Sequence, residues 1–254
     1  MKRNLAIILA VLAAISCNSE RVATVPAPEL ATELQNEIAA PEPTPTQEPA
    51  PTPRQILETY SDRSKVGRRG KNKIEIDIIK QGEFRTYHSD NLAVIRFYSK
   101  DQNQVWKLRQ TLEIPDDSLA EADPQFQDFN GDGLNDVTFI SGTAARGANE
   151  MRTLLIYDKR SDKLIHIENS AEFPNIEYSR KLNCITAWRF YGGTATDFAR
   201  IVGNRLVTFA TVEDFDGYRT VTLTDRNGRE RVIQRDKLAD ENTFTRYTNY
   251  RPVE

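Results

Sequence analysis

The sequence predicts an all-β protein: a single antiparallel domain of about a dozen short strands, arranged as a β-sandwich-like or β-propeller-like fold. Apolar and polar residues alternate with period two in short runs from residue 73 to residue 234. Turn residues separate these runs, and helical periodicity is nearly absent. About two hundred residues follow the N-terminal region, which is enough to bury a substantial core.

The first sixteen residues have the pattern of a secretory signal peptide. Lys2 and Arg3 form a short positive region, and residues 5–15 form an apolar run that is too short to span a bilayer. Residues 1–16 are therefore assigned to a signal peptide and set apart from the fold.

Residues 12–17, which end in Cys17, resemble the lipobox of bacterial lipoproteins, although Ala14 stands where leucine is usual. The resemblance implies that Cys17 carries lipid, palmitate included, and becomes the first residue of the mature protein. The alternative is an exported cysteine beside an ordinary cleavage site. Asn18 follows the cysteine, which by analogy with enteric bacteria favours the outer membrane, facing the periplasm.

A segment rich in proline, threonine and glutamate spans residues 17–54. Its densest part, residues 41–53, cannot pack a core because it consists of proline, threonine, alanine, glutamate and glutamine, with no large apolar side chain. We expect an extended, disordered polyproline-like tether that rises about 3.1 Å per residue. The all-β domain is then residues 55–254.

The strands of that domain are predicted from their alternation and from the turns between them. Residues 56–60 are the exception, because they favour a brief helix. The predicted strands are residues 73–78, 92–98, 105–112, 137–141, 153–157, 164–167, 182–190, 196–202, 206–212, 218–224 and 230–234.

Residues 128–136 read D-x-N-x-D-G-x-x-D, which is the front of a calcium loop of the EF-hand kind. Oxygen ligands are expected at positions 1, 3, 5 and 9, together with a main-chain carbonyl at position 7. The corresponding residues are Asp128, Asn130, Asp132, Asp136 and, for the carbonyl, Leu134.

The chemistry of this loop favours a hard divalent cation. Each pair of like carboxylates at ~4 Å costs about 4 kcal/mol at an effective dielectric near 20, and a cation reverses that sign. Oxygen ligands alone suit Ca²⁺, and Gly133 stands at the sharp turn. Phe139 replaces the glutamate expected at position 12, so the loop leads into a strand. The alternative is a polar turn without metal.

The calcium loop is followed by a recognisable order of segments, residues 154–158, 163–164 and 204–207. This order resembles an FG-GAP-like group of calcium-binding bacterial envelope lipoproteins, distantly related to periplasmic inhibitors of invertebrate-type lysozyme. The resemblance covers residues 73–212. It implies a single β domain that binds calcium, and some members of the group inhibit lysozymes.

Lysozyme inhibitors of this kind insert a Ser-Gly loop into the acidic cleft of the enzyme. Residues 141–150 are the candidate for that loop here, and Ala145 stands where an aromatic residue is expected at its tip. A guanidinium at this place could pair with catalytic carboxylates. The alternative is an ordinary glycine-rich hairpin. The candidate contact residues are Ser141, Gly142, Arg146 and Gly147.

No catalytic set is evident in the sequence. His88 and His166 have no metal-ligand spacing, and Cys184 has no histidine near it, which predicts a buried, inert thiol. A pair of carboxylates that hydrolyses glycosides stays an open alternative, because Asp and Glu are plentiful.

Acidic residues outnumber basic ones by 37 to 34, so nucleic acid is not expected as a partner. The basic loop at residues 65–73 is a solvated loop or a patch for an anionic partner.

These observations predict a non-catalytic, calcium-binding lipoprotein of the bacterial cell envelope that inhibits a lysozyme-type murein hydrolase. Its expected partners are a murein-cleaving enzyme or another envelope protein, and the membrane through the lipid anchor. The first alternative is a structural or adhesive FG-GAP-type module in which calcium only stabilises the fold. The second is a hydrolase with a carboxylate pair.

Overall fold

Fourteen β-strands and two single turns of 3₁₀ helix make up the regular structure of the described residues. The computed structural model describes residues 54–81, 91–118, 121–239 and 244–251, which belong to one compact unit spanning Pro51–Glu254. The predicted signal peptide, Cys17 and almost all of the predicted tether lie outside these ranges. The all-β prediction is confirmed.

The strands form three antiparallel sheets, each built from consecutive strands in chain order. The first sheet contains β1 (Gln55–Asp62), β2 (Asn72–Lys80), β3 (Asn91–Lys100) and β4 (Trp106–Asp116). The middle sheet contains β5 (Gln125–Gln127), β6 (Asp136–Ala144), β7 (Asn149–Asp158) and β8 (Lys163–Ile167). The third sheet contains β9 (Glu177–Ser179), β10 (Cys184–Phe190), β11 (Thr194–Val202), β12 (Arg205–Phe215), β13 (Tyr218–Thr224) and β14 (Glu230–Lys237). The 3₁₀ turns are Ala145–Gly147 and Ser170–Glu172.

The middle sheet is packed on both faces, so the fold is layered and sandwich-like. Because successive side chains of a strand point to opposite faces, neighbouring residues enter different cores. Its buried side chains in the core shared with the first sheet are Val137, Phe139, Leu155, Tyr157 and Leu164. Its side chains in the core shared with the third sheet are Leu154, Ile156 and Ile167. This double burial explains the continuous apolar runs of β6 and β7.

The brief helix predicted for residues 56–60 is wrong, because this segment lies within β1. Its main chain pairs with β2, with Thr59 opposite Asp77 and Tyr60 opposite Ile76. Tyr60 packs against the core shared by the first and middle sheets. Five residues are too few for a stable helix, and the free edge of β2 offers a hydrogen-bonding partner for every second residue.

No helix within the described ranges has both the length and the apolar character needed to cross a membrane.

Candidate metal centre

The predicted calcium loop connects β5 to β6 and turns through two glycines with positive φ. The φ angles are +77° at Gly131 and +83° at Gly133. A Cβ built on Gly131 would lie 2.5 Å from the hydroxyl of Tyr178, which lies in β9 of the third sheet. Both the left-handed backbone and this close approach require glycine at position 131.

The carboxylate of Asp128 organises the first half of the loop. Its Oδ1 accepts the main-chain N–H of Gly131 at 2.7 Å and that of Asp132 at 3.2 Å. Its Oδ2 accepts the N–H of Gly133 at 2.8 Å. Three consecutive amides thus wrap around one carboxylate, which fixes the loop and stabilises the negative charge.

Asn130 and Asp132 converge on the same place. The Oδ1 atom of Asn130 accepts the N–H of Asp132 at 3.0 Å, so it shares that amide with Asp128. The amide nitrogen of Asn130 lies 3.2 Å from Oδ2 of Asp132. The Oδ1 atom of Asp132 accepts the N–H of Leu134 at 2.8 Å. The side chains at loop positions 1, 3 and 5 are therefore neighbours at an exposed surface.

Asp136 occupies a different environment, because it begins β6 and is fully buried. Its Oδ2 accepts the N–H of Phe129 and its Oδ1 accepts the N–H of Tyr157, each at 2.8 Å. Burial raises the pKa of Asp136 to about 7, and the charges of Asp132 and Asp128 add to this rise while the two amides oppose it.

The oxygen atoms of this loop fit calcium as a mixture of carboxylate and amide ligands. The half-buried carboxylate of Asp128, the exposed carboxylate of Asp132 and the side-chain amide of Asn130 lie close together, and all three supply hard oxygen donors. Among the described residues, no three Asp, Glu, His or Cys side chains form a group that could hold a metal. Because Asp136 is fully buried while Asp128 and Asp132 reach the surface, the latter two would supply the carboxylates. Position 9 of such loops often reaches the ion through water.

The basic loop between β1 and β2 lies against the calcium loop, a contact that the sequence did not indicate. The N–H of Gly67 donates to the carbonyl of Asn135 at 2.7 Å, and the Asn135 side chain donates to the carbonyl of Lys65 at 3.1 Å. A surface cavity of about 490 Å³ lies between the two loops, with Lys65 and Arg69 on one side and Gly133 on the other. Cations therefore flank the acidic loop on one side.

The candidate partner loop is shorter than predicted. Ser141 and Gly142 are buried within β6, and the hydroxyl of Ser141 has no hydrogen-bond partner among the described residues. Arg146 and Gly147 are exposed at the turn between β6 and β7. Only these two of the four candidate residues are placed to meet a partner.

Two asparagines hold the base of that turn. The side chain of Asn149 donates to the carbonyl of Phe190 at 2.9 Å and accepts its N–H at 2.8 Å. The side chain of Asn175 donates to the carbonyl of Ala148 at 2.8 Å. These side-chain bonds to main-chain groups attach the turn to the third sheet.

Of the remaining candidate residues, Cys184 and His166 lie in strands of the described part of the chain. Cys184 is a buried free thiol in β10, and burial raises its pKa to about 11. The prediction of a buried thiol is therefore confirmed, and a raised pKa disfavours the thiolate, which is the reactive form. His166 lies in β8, where burial lowers its pKa, and His88 lies outside the described residues.

No family model and no curated protein matches the chain. Among solved structures, the chain is similar to a Xanthomonas type IV secretion system related protein, with a TM-score of 0.44 and 15% sequence identity. The similarity covers 71% of this chain and 96% of that chain. The resemblance to FG-GAP-like lipoproteins and lysozyme inhibitors stays a prediction from the motif.

Proposed function

We propose that the protein is a non-catalytic, calcium-binding lipoprotein of the bacterial envelope that inhibits a lysozyme-type murein hydrolase. The observation that carries the proposal is the proximity of three side chains in the loop: Asp128 and Asn130 accept the same main-chain N–H, that of Asp132, and the Asn130 side chain donates to the carboxylate of Asp132. Calcium would be held by these side chains and the Leu134 carbonyl, with Asp136 behind them. When bound, the ion neutralises the repulsion between the carboxylates.

One strand links the proposed metal site to the proposed contact. β6 begins at Asp136, next to the calcium loop, and ends at Ala144, where the exposed turn starts. An ion that fixes the start of β6 therefore also fixes the strand that presents the turn.

The turn itself favours insertion into an acidic cleft. Ala145 and Arg146 both have positive φ, +49° and +57°, ahead of Gly147 at +90°. For residues with a Cβ this conformation costs about 1–2 kcal/mol each, and such strain gathers at functional sites. Arg146 is exposed and makes no ion pair among the described residues. Because glycosidases use two carboxylates at the reacting bond, a single projecting guanidinium complements their active site.

The test is inhibition of murein hydrolysis by an invertebrate-type lysozyme, measured with the full chain in detergent. We expect inhibition in calcium, weaker inhibition in chelator, and at least a tenfold loss of potency for Arg146→Ala. Arg160→Ala is the matched control, because Arg160 is exposed in the turn at the other end of β7. Equal potency of the two variants overturns the assignment of Arg146.

The alternative function is a structural or adhesive module in which calcium only braces the fold. The bond of Asp136 to Tyr157 favours it, because the loop is tied into the core rather than to a partner surface. Calcium-dependent melting without any inhibition would support this alternative. Turnover of murein by the protein itself would instead favour a hydrolase.

The anchoring proposal has its own test. Cys17 is proposed to carry the lipid and the proline-rich tether to hold the domain away from the outer membrane, facing the periplasm. Metabolic labelling with a palmitate analogue should mark the wild type but not Cys17→Ala. Recovery of label on the variant would contradict lipidation at this cysteine.

A further inference from the structure

Three exposed aromatic side chains lie side by side at one end of the third sheet. Tyr191, Phe215 and Tyr218 are 43%, 50% and 37% exposed. The rings of Tyr191 and Phe215 are stacked, with centroids 6.0 Å apart and an interplanar angle of 23°. Phe215 and Tyr218 are direct partners across the β12–β13 hairpin, which places them on the same face. We call these three residues the aromatic row.

The backbone is shaped to hold this row. A Cβ on Gly193 would lie 2.5 Å from the carbonyl of Asp214 and 2.9 Å from the Phe215 ring. The β10–β11 turn can therefore approach β12 only because Gly193 has no side chain. The hydroxyl of Tyr191 also donates to the carboxylate of Glu213, which fixes its ring.

A polar row runs parallel to the aromatic row on the same face. The pairing Arg189–Ala195–Glu213–Thr220–Arg235 crosses β10 to β14. The guanidinium carbon of Arg235 lies 4.5 Å from the centroid of the Tyr218 ring. Behind this row, Asp197 accepts bonds from Arg189 at 2.8 Å and from Thr211 at 2.7 Å.

We infer that this sheet face binds an extended, uncharged glycan chain. Sugar rings present C–H groups that stack on the electron-rich faces of aromatic rings, and their edges carry hydroxyl groups. The aromatic row supplies the stacking surface, and the adjacent Arg, Glu and Thr side chains supply donors and acceptors. The arrangement is fixed in advance by the sheet, which lowers the entropy lost on binding.

The charges of the face select against other partners. Arg189 pairs with Asp197, while Arg235 and Lys237 share the face with Glu213. Positive side chains among these residues therefore exceed negative ones by only one, so neither a polyanion nor a polycation gains much from net charge. A helix or another apolar protein surface would leave these polar groups without partners, which is costly. A neutral, hydroxyl-rich polymer satisfies both rows at once.

The face continues into a groove at Arg189. Two surface cavities of about 280 Å³ each share Arg189 and Glu172 in their lining. One of them reaches Asn149, and the other reaches Thr211 and Glu230. A glycan lying along the aromatic row could therefore extend beyond it. This inference does not depend on calcium binding or on lysozyme inhibition, since no residue of the aromatic row or of the polar row belongs to the calcium loop or to the turn at Arg146.

The test is titration calorimetry of the full chain with chitohexaose, a neutral β-1,4-linked oligosaccharide, in a detergent without sugar headgroups. We expect saturable binding that persists in chelator. Phe215→Ala should weaken it about tenfold or more. Phe244→Ala is the matched control and should leave it unchanged, because Phe244 is 66% exposed and lies outside the aromatic row.

Tyr218→Ala provides a second test of the aromatic row. Its side chain lies at the opposite end of the row from Gly193, away from the close contact between the β10–β11 turn and β12. Tyr218→Ala should lower the affinity as well, with a melting temperature near that of the wild type. Three results would each overturn the inference: no saturable binding by the wild type, equal effects of the Phe215 and Phe244 variants, or self-association of the chain that Phe215→Ala abolishes.

Discussion

The buried carboxylate of Asp136 accepts the main-chain N–H of Tyr157 on the neighbouring strand, at 2.8 Å. Its other oxygen accepts the N–H of Phe129 at the same distance. One side chain thus joins the calcium loop, β6 and β7, and it does so inside the core, where an unmade hydrogen bond is most costly.

Replacing Asp136 should therefore destabilise the fold even without metal. Asp136→Ala leaves two buried amides unpaired, at about 1–3 kcal/mol for each. Asp136→Asn keeps one acceptor oxygen and should lose less. Urea denaturation in chelator measures both. Asp158→Ala is the control, because Asp158 accepts two amides in the exposed β7–β8 turn. A control as unstable as Asp136→Ala would contradict the prediction.

Calcium should raise the melting temperature of the wild type. An ion that binds only the folded state adds about 2.7 kcal/mol at a hundredfold excess over Kd. For a domain of this size that corresponds to roughly 5–10 °C. Differential scanning calorimetry with calcium or chelator should show this shift for the wild type.

Asp132→Ala should flatten that calcium dependence. Asp225→Ala should not, although Asp225 likewise accepts two amides in a turn. An unchanged melting temperature of the wild type across millimolar calcium would count against the site.

Gly131→Ala should destabilise the loop more than Gly228→Ala does. The two glycines have nearly the same φ, +77° and +74°, so both variants carry the left-handed cost of about 1–2 kcal/mol. Only at Gly131 would the new methyl lie 2.5 Å from the hydroxyl of Tyr178, which donates to Asn183 at 2.6 Å. Displacing that hydroxyl should cost about 1 kcal/mol more.

The double variant Gly131→Ala/Tyr178→Phe provides the check, because it removes the crowded oxygen. Its free energy of unfolding should exceed that of Gly131→Ala alone. If the two single glycine variants are equally stable, the contact with Tyr178 does not constrain the loop.

Asp116 should impose a pH dependence on stability. Burial raises its pKa in the folded protein to about 6, above the ordinary value of 3.8. The folded state therefore binds the proton more tightly than the unfolded state, so the contribution of Asp116 is most favourable below about pH 4. This contribution is lost as pH rises through about 6, and the free energy of unfolding falls by about 2–3 kcal/mol in all. Asp116→Asn should remove this contribution, as seen in the difference between the unfolding free energies of variant and wild type. A constant difference from pH 4 to pH 7 would contradict it.

Part of the fold could be predicted from alternation, because strands such as β2, β4 and β12 alternate between more buried and more exposed side chains. The exceptions have physical reasons. β5 and β9 are three residues long, too short to show a period. β1 carries a weak pattern, since most of its residues are exposed at a sheet edge, and its pairing with β2 decides its conformation.

The sites show the same division between local and non-local information. The spacing of Asp128, Asn130 and Asp132 indicates a convergent loop, because those contacts are local. That Asp136 turns inward to Tyr157, or that Ser141 is buried, depends on the neighbouring strands. The whole aromatic row could not be found from sequence, because Tyr191 reaches Phe215 only through the pairing of β11 with β12.

The double burial of the middle sheet determines how far any local disturbance of it would spread. A sheet covered on one side can loosen while its neighbours stay folded, but loosening this one would expose two cores together. Opening of β6 and β7 should therefore coincide with unfolding of the whole domain, so their amides should exchange with solvent only at the global rate. Calcium bound in the loop before β6 would then slow unfolding of the entire domain rather than only order one segment.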